Sequence, residues 1–148
     1  MKPILQALLV ADHVYVDATT NKKVVAGVFR NLQYRQPQSV VQPDDNKGQV
    51  SIKIPPGGMA AGSPFCYIAL TDVKGKQQFV LRYVNLADDK ALFQTDLEVN
   101  CPDPLESVEI VLPLPMLPVP GPGTYALELI WHGEPLGTHR ITVKELKD

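Results

Sequence analysis

The sequence is poor in the features that mark several large classes of protein. Its two cysteines, Cys66 and Cys101, are too few for a disulfide scaffold or a zinc cluster. Its 14 basic and 16 acidic residues give a formal charge of -2, so no basic excess points to nucleic acid as a partner. Its apolar runs stay far below the ~18 consecutive residues of a membrane helix. We therefore expect neither a nucleic-acid partner nor a membrane partner.

The first residues imitate a signal peptide only briefly. Lys2 precedes an apolar run from Ile4 to Ala11, but Gln6 interrupts the run. Asp12 follows it without the small-residue pattern of a cleavage site. The segment predicts a strand, and we expect a cytoplasmic protein whose two cysteines stay reduced.

Proline, in contrast, is abundant, and apolar residues recur with a period of two. The 14 prolines disfavour long helices and suit strands joined by irregular loops. A length of 148 residues with 45% hydrophobic residues fits one globular domain spanning 1–148. About eight strands and no convincing helical period predict an all-β, antiparallel β-sandwich of immunoglobulin-like style. Residues 36–64 are expected to form a long irregular insertion, within which "SVV" and "QVSIKI" could make a small extra hairpin.

The stretch "FCYIALTDVKGKQQFVLRYV" predicts a hairpin with its turn at Lys74–Gly75. The expected apolar pairs on one face are Leu70 with Phe79, Ile68 with Leu81, and Cys66 with Tyr83. On the other face Tyr67 would meet Arg82 in a cation–π contact.

The stretch "GPGTYALELIWHGEPLGTHRITV" predicts a second hairpin with a three-residue loop, Gly133–Pro135. The expected pairs are Tyr125 with Val143, Leu127 with Ile141, Leu129 with His139, and Glu128 with Arg140. Tyr125 follows Pro-Gly after a long connection, the place of a tyrosine corner in an immunoglobulin-like domain.

Four further strands complete the expected eight. Two of them flank the polar turn "ATTN" as a first hairpin. The other two are "ALFQTDLEV", with Phe93, Thr95, Leu97 and Val99 on one face, and "SVEIVLPL". The first strand has little protection against edge pairing, so it is expected either in the middle of its sheet or at a subunit interface.

Three stretches together resemble a bacterial family of small all-β proteins known as a domain of unknown function. They are "ALLVADHVYVDATTNKKVVAGVF", "LRYVNLADDKAL" and "VNCPDPLESVEIVLPLPMLPVPGPGTYALELIWHGEPLGTHRITV". The chain departs from the family's pattern at residues 36–64, which are longer here, and at Ala11, where the family leads us to expect cysteine. The resemblance implies a small bacterial β domain and carries no catalytic or binding residue with it.

The candidate metal-binding and acid–base groups do not converge in the predicted strands. The predicted register places His132 and His139 on opposite faces, with Glu134 in the loop, whereas zinc needs three or four converging ligands. We expect His132 at the surface and His139 partly buried at the sheet margin. Asp12 and His13 are adjacent in a strand and point to opposite faces, so they cannot act together, even with Asp17 nearby.

Calcium and nucleophile motifs are no stronger. Asp44, Asp45 and Asn46 lack the distal glutamate of a calcium loop and are typical of a solvated turn. The four serines, at positions 39, 51, 63 and 107, do not lie in a nucleophile elbow. Cys66 is expected to be buried and inert, and Cys101 more exposed. No catalytic residue, cofactor or metal is predicted.

The proline-rich segment "PLPMLPVPGPG" is the sequence's best candidate for an interaction surface. Its Pro115 and Pro118 have PxxP spacing, although a stiff connector between the sheets explains the prolines equally well. The expected interface residues are Pro115, Met116, Leu117, Pro118 and Val119. The sequence thus favours a non-catalytic interaction module, with another protein or a second copy as partner. A small enzyme with a loop-built site and a carbohydrate-binding sandwich remain the alternatives.

Overall fold

The computed structural model describes residues 1–34, 59–60 and 63–146. Within these ranges the chain forms eleven strands and no helix, which confirms the all-β expectation. In this described part, accordingly, there is no helix of the length and hydrophobicity that spanning a bilayer requires. The strands are β1 (Ile4–Val16), β2 (Lys23–Val28), β3 (Asn31–Tyr34), β4 (Met59–Ala60), β5 (Phe65–Thr71), β6 (Gly75–Asn85), β7 (Lys90–Cys101), β8 (Val108–Pro113), β9 (Pro118–Val119), β10 (Gly123–Trp131) and β11 (Glu134–Glu145).

The strands build a β-sandwich of two main sheets. Sheet A has the order β2-β1-β5-β8, sheet B has the order β3-β11-β10-β6-β7, and β4 pairs with β9 in a small ribbon. Seven of the eight expected strands are present as expected. The eighth, "KKVVAGVFRNLQY" at 22–34, is divided into β2 of sheet A and β3 of sheet B, and β4 and β9 are short additions. Because β3 runs parallel to β11, the expectation of a wholly antiparallel sandwich is wrong at that pair. β1 lies between β2 and β5, so it is central in its sheet.

Alternate side chains of the long strands fill the space between the sheets. In β5, for example, Cys66, Ile68 and Leu70 are buried, and the residues between them are not. The alternation in the sequence predicts nine core residues, on the strands now seen as β5, β6, β8 and β10. Seven of them are at most 1% exposed, and the other two, Ile110 and Leu112, are partly buried and pack against the core. Those seven are Ile68, Leu70, Phe79, Leu81, Tyr125, Leu127 and Leu129.

The middle hairpin predicted from the sequence is wrong, although its residues are buried as expected. β5 pairs with β1 and β8, whereas β6 pairs with β7 and β10, so the chain crosses from sheet A to sheet B between them. Asp72 adopts a left-handed conformation (φ 57°) in this crossing, and Val73 is fully buried. The apolar sets of β5 and β6 therefore line opposite walls of one core.

The predicted contact between Tyr67 and Arg82 is absent because the two residues lie in different sheets. Tyr67 instead donates a hydrogen bond to Glu109 of β8. The Arg82 guanidinium lies 3.7 Å from the Glu128 carboxylate of β10.

The hairpin of β10 and β11 is present, but its register differs by two residues from the prediction. The turn is His132–Gly133, and both residues have the positive φ (49° and 75°) of a tight two-residue turn. A register irregularity between Leu129 and Ile130 absorbs one further residue. The observed pairs include Tyr125 with Ile141, Leu127 with His139, and Glu128 with Thr138. A two-residue shift keeps every side chain on its face, so the buried set is unchanged.

Tyr125 makes the hydrogen bonds expected of a tyrosine corner. Its hydroxyl donates to the carbonyl oxygen of Gly121 at 2.6 Å and accepts from the amide of Gly121 at 3.2 Å. These bonds fasten the end of the proline-rich segment to the start of β10.

The outer half of the β1–β2 hairpin folds back across the outer face of sheet A. Lys23 of β2 pairs with Val16, near the end of β1. Glu109 of β8 pairs with Ala69 of β5, which in turn pairs with Ala7, near the start of β1. A straight β1 would separate these levels by about 30 Å. The Lys23 ammonium nevertheless lies 3.6 Å from the Glu109 carboxylate. Gly27 has a left-handed φ of 77° within this hairpin. We call residues 12–27, which make the bend, the flap.

Candidate functional site

The proline-rich segment is partly folded into the core rather than displayed along its whole length. Leu117 is 1% exposed and Val119 is 4% exposed, because both point between the sheets. Pro118 is partly buried and pairs with Ala60, whereas Pro115 and Met116 are exposed, Met116 by 63%. A contact through this segment stays a prediction, and burial restricts it mainly to Pro115 and Met116.

An apolar groove opens beside Pro115, at the seam where the sandwich ends. β7 is the last strand of sheet B and β8 is the last strand of sheet A, so each pairs on one side within the described sheets. Between the two strands lies a groove of about 380 Å³. We call it the seam groove. Its lining residues are Leu81, Phe93, Gln94, Thr95, Leu97, Leu112, Pro113, Leu114 and Pro115.

Alternation along β7 gives the two sides of this edge different chemistry. Phe93, Thr95 and Leu97 point toward the groove, opposite Tyr83, Leu81 and Phe79 of β6. Phe93 and Leu97 are half-buried, and Thr95 is exposed, although it lies opposite fully buried Leu81. At Thr95 the inner face of β7 is therefore exposed to solvent rather than covered by sheet A.

The other side of β7 carries amide and acidic side chains. Gln94, Asp96 and Glu98 are exposed on the outer face of sheet B. Glu98 accepts a hydrogen bond from Gln78 at 2.9 Å and lies 3.1 Å from Lys76. These bonds lower the pKa of the Glu98 carboxyl, so it is ionised at neutral pH, with Lys76 offsetting part of its charge and Asp96 adding a second carboxylate to the same face.

The seam groove was not predicted from the sequence. A signal was present, since Thr95 interrupts the apolar face of "ALFQTDLEV". A hydroxyl among core-facing residues indicates a strand whose inner face is not fully covered. The strand order, which the sequence did not supply, was needed to see which strand that was.

His139 is fully buried, whereas it was predicted to be partly buried at the sheet margin. It lies between β10 and the chain that leads into β3. Its Nε2 lies 2.8 Å from the carbonyl oxygen of Phe29, and its Nδ1 lies 3.2 Å from the Arg30 guanidinium. Since a carbonyl can only accept and a guanidinium can only donate, the ring is neutral with its proton on Nε2.

Burial lowers the pKa of His139 below its ordinary value of 6.5, and the charge of Arg30 acts in the same direction. The backbone hydrogen bonds to Phe29 and Leu8 oppose this shift without cancelling it. His139 is therefore a satisfied core histidine rather than a proton donor open to a substrate.

The other candidate polar groups are dispersed. His132 lies in the exposed turn after β10, beside Trp131, and Glu134 begins β11. Asp12 and His13 are exposed in the flap, and the Asp17 carboxylate accepts the amides of Thr19 and Thr20 in a turn. Those backbone bonds lower the pKa of Asp17. Among residues 1–34, 59–60 and 63–146, no three His, Cys, Asp or Glu side chains are grouped closely enough to hold a metal ion.

Several sequence candidates fall outside the described residues. Asp44, Asp45 and Asn46 do so, as do the possible extra hairpin of "SVV" and "QVSIKI" and the serines at positions 39 and 51. Most of the expected insertion at 36–64 is likewise outside the described ranges, apart from 59–60 and 63–64.

Both cysteines are buried free thiols, so the expectation of a more exposed Cys101 is wrong. Burial raises the pKa of the Cys66 thiol to about 12. The Cys101 thiol lies 3.1 Å from the carbonyl oxygen of Asp103, to which it donates. Cys66 thus remains a protonated, unreactive thiol at neutral pH.

Three aromatic residues that a carbohydrate-binding sandwich could use, Tyr83, Tyr125 and Trp131, do not form an exposed platform. Tyr83 and Tyr125 are buried and stack at 5.8 Å between ring centroids. Trp131 is half-buried, and its Nε1 donates to Gln77 at 3.0 Å. The contacts of these three rings are therefore within the sandwich, in core packing and in a hydrogen bond between strands.

Comparison with known proteins gives a family without an assigned activity. No curated protein matches the sequence. The model of a family of unknown function, DUF6941, matches residues 6–144, which is nearly the whole chain and includes every strand that builds the seam groove. This chain therefore belongs to DUF6941, a family of unknown function.

Proposed function

We propose that this protein is a non-catalytic protein-interaction module of the bacterial cytoplasm, and that the seam groove receives its partner. One observation carries the proposal. The groove combines half-buried apolar side chains with two strand edges that belong to different sheets. Strand edges offer backbone amides and carbonyls to an incoming chain, and an apolar groove offers burial to its side chains.

The chemistry of the lining supports binding rather than catalysis. Of the nine lining residues, only Gln94 and Thr95 have polar side chains. Neither side chain titrates near neutral pH, and the lining contains no base that would activate the Thr95 hydroxyl as a nucleophile. Apolar burial, at about 25 cal/mol per Å², is the interaction that such a surface provides to a partner. Buried free thiols at Cys66 and Cys101 support a reducing compartment such as the cytoplasm.

The immunoglobulin-like style belongs to the same proposal. The order β1-β5-β8 opposite β11-β10-β6-β7 follows the order of strands A-B-E and G-F-C-C′ in immunoglobulin-like domains. Tyr125 lies near the start of β10, where the corner tyrosine of strand F lies in those domains. Domains of this style commonly serve as recognition modules, and that analogy supports the proposal only at the level of the fold.

A pull-down from the lysate of the source bacterium tests this function. Thr95→Trp would fill the groove from an exposed position, and Thr138→Trp, at an exposed position of β11, is the matched control. We expect the native protein and the Thr138→Trp variant to retain the same partner and the Thr95→Trp variant to lose it. Equal capture by all three proteins would show that the seam groove does not bind the partner.

A further inference from the structure

We propose that the occupant of the seam groove is an extended segment of another protein, with apolar and basic residues in alternation, that adds to β7 as an extra strand of sheet B. This inference rests on the proposed function and assigns the chemistry of the partner. It is carried by the geometry of β7, a twelve-residue strand of which Phe93, Gln94, Thr95 and Leu97 line the groove.

An added strand would present every second side chain to the groove. These side chains would lie beside Phe93, Thr95 and Leu97, because residues opposite each other in neighbouring strands have Cβ atoms about 4.5–5.5 Å apart. They would also reach the rim formed by β8 and Pro115. Apolar side chains fit these positions, since they would complete the burial of Phe93 and Leu97.

The remaining side chains of the added strand would lie on the outer face of sheet B. There they would be beside Gln94, Asp96 and Glu98. The carboxylates of Asp96 and Glu98 select lysine or arginine at those positions and oppose aspartate or glutamate, because like charges directly opposite in a sheet are destabilising. Alternation of apolar and basic residues follows from these two faces together.

The same charges disfavour a second copy of β7 as the occupant. In an antiparallel pair of two β7 strands the outer faces coincide, and in registers centred on Asp96 or Leu97 the carboxylates of Asp96 and Glu98 from the two copies would lie opposite or diagonal to each other. The acidic row therefore protects the edge against self-pairing and leaves it open to a basic segment.

The test uses fluorescein-labelled peptides of alternating valine and lysine and their valine–glutamate counterparts, measured by fluorescence anisotropy with the full chain. We expect the lysine peptide to bind at least about tenfold more tightly than the glutamate peptide. The preference should shrink as salt is added, because screening weakens exposed charges. Amide hydrogen exchange of residues 93–98 should slow on binding.

Three variants separate the contributions. Thr95→Trp should weaken binding of the lysine peptide at least about tenfold, and Thr138→Trp should leave it unchanged. The double variant Asp96→Asn with Glu98→Gln should remove most of the preference for lysine over glutamate. Equal affinity for both peptides, or no binding of either, would overturn the assignment of a basic strand.

The pull-down distinguishes this result from failure of the proposed function. If Thr95→Trp abolishes capture of the cellular partner while the lysine peptide has no advantage, the groove binds a partner of different chemistry. If Thr95→Trp changes neither capture nor peptide binding, both proposals are wrong.

Discussion

At the scale of single residues, His139 shows how a buried site fixes a protonation state. Both ring nitrogens are occupied, one by a carbonyl that accepts and one by a guanidinium that donates. Burial and the charge of Arg30 oppose a second ring proton, whereas the backbone carbonyls of Phe29 and Leu8 favour it, and the balance lowers the pKa.

We expect His139 to make the protein less stable as the pH falls. The unfolded chain binds a proton at this histidine near pH 6.5, and the folded protein does so at lower pH because burial lowers the pKa. Between these values the unfolded state carries more protons, so the free energy of unfolding decreases as pH falls below about 6.5. The contribution is at most about 1.4 kcal/mol per pH unit.

Urea denaturation at pH values from 7.5 to about 5 measures this dependence. His139→Gln should flatten it, because glutamine keeps an amide donor and a carbonyl acceptor without titrating. Replacing the exposed His13 by glutamine is the control and should leave the dependence intact. An unchanged profile in the His139→Gln variant would assign the dependence to other groups. Asp17 and Glu98, whose pKa values are lowered, act in a more acidic range.

Replacement of Leu127 tests the packing of the core. It is 1% exposed, and its replacement by alanine leaves a cavity that the packed sheets can only partly fill. We expect Leu127→Ala to destabilise the protein by about 2–5 kcal/mol in urea or thermal denaturation. Leu105→Ala, at a leucine 89% exposed, is the control and should change stability by less than about 0.5 kcal/mol. Similar values for the two variants would contradict the burial of Leu127.

At the scale of strands, the flap depends on one backbone position. Gly27 has a φ of 77°, and a Cβ atom there would lie 2.6 Å from the Asp12 carboxylate. The bend therefore favours glycine, because other residues are strained in the left-handed region and an added Cβ would also displace the exposed Asp12 side chain. The ion pair between Lys23 and Glu109 then holds the bent hairpin against β8.

We expect Gly27→Ala to destabilise the protein by about 1–3 kcal/mol, because it adds both backbone strain and a steric clash. Gly121→Ala is the matched control, since φ there is not positive and no atom lies within 4 Å of the added Cβ. Chemical denaturation compares the two variants. A tolerated Gly27→Ala would mean that the flap bends elsewhere.

The strands also show what alternation in a sequence can and cannot predict. Period-two patterns located the longer strands and the buried side of β5, β6 and β10, because burial of one face imposes that period. They did not show that the stretch at 22–34 divides into β2 and β3, which belong to different sheets. They did not show that β5 and β6 belong to different sheets, since both arrangements bury Ile68 and Leu81. They also could not distinguish the observed β10–β11 register from the predicted one, because a shift of two residues keeps each side chain on the same face. The seam groove depends on strand order, so it could not be predicted from these patterns.

At the scale of the whole molecule, we propose a homodimer formed through the exposed part of the proline-rich segment. Met116 is 63% exposed beside Pro115, and the acidic row of β7 disfavours that edge as the contact. A stable two-fold interface should bury upward of about 1,000 Å² in total.

Light scattering at micromolar concentration should give the mass of a dimer, and Met116→Lys should shift it toward the monomer because the lysine charge would be buried. Lys144→Met, which alters an exposed position of β11, is the control and should remain dimeric. A monomer mass that does not change on dilution would rule the dimer out.

The parallel pairing of β3 with β11 has a consequence for how the protein reaches its folded state. The paired residues are about 110 positions apart, and β3 has no other neighbour in sheet B among the described strands. During synthesis β3 leaves the ribosome long before β11 is made, so the backbone amides and carbonyls of β3 that pair with β11 have no strand partner until the C-terminal strand is complete. Sheets joined by such distant partners typically fold in milliseconds to seconds rather than microseconds. Completion of sheet B is therefore a late event, and a nascent chain lacking β11 would leave the edge of β10 that pairs with β11 without a partner.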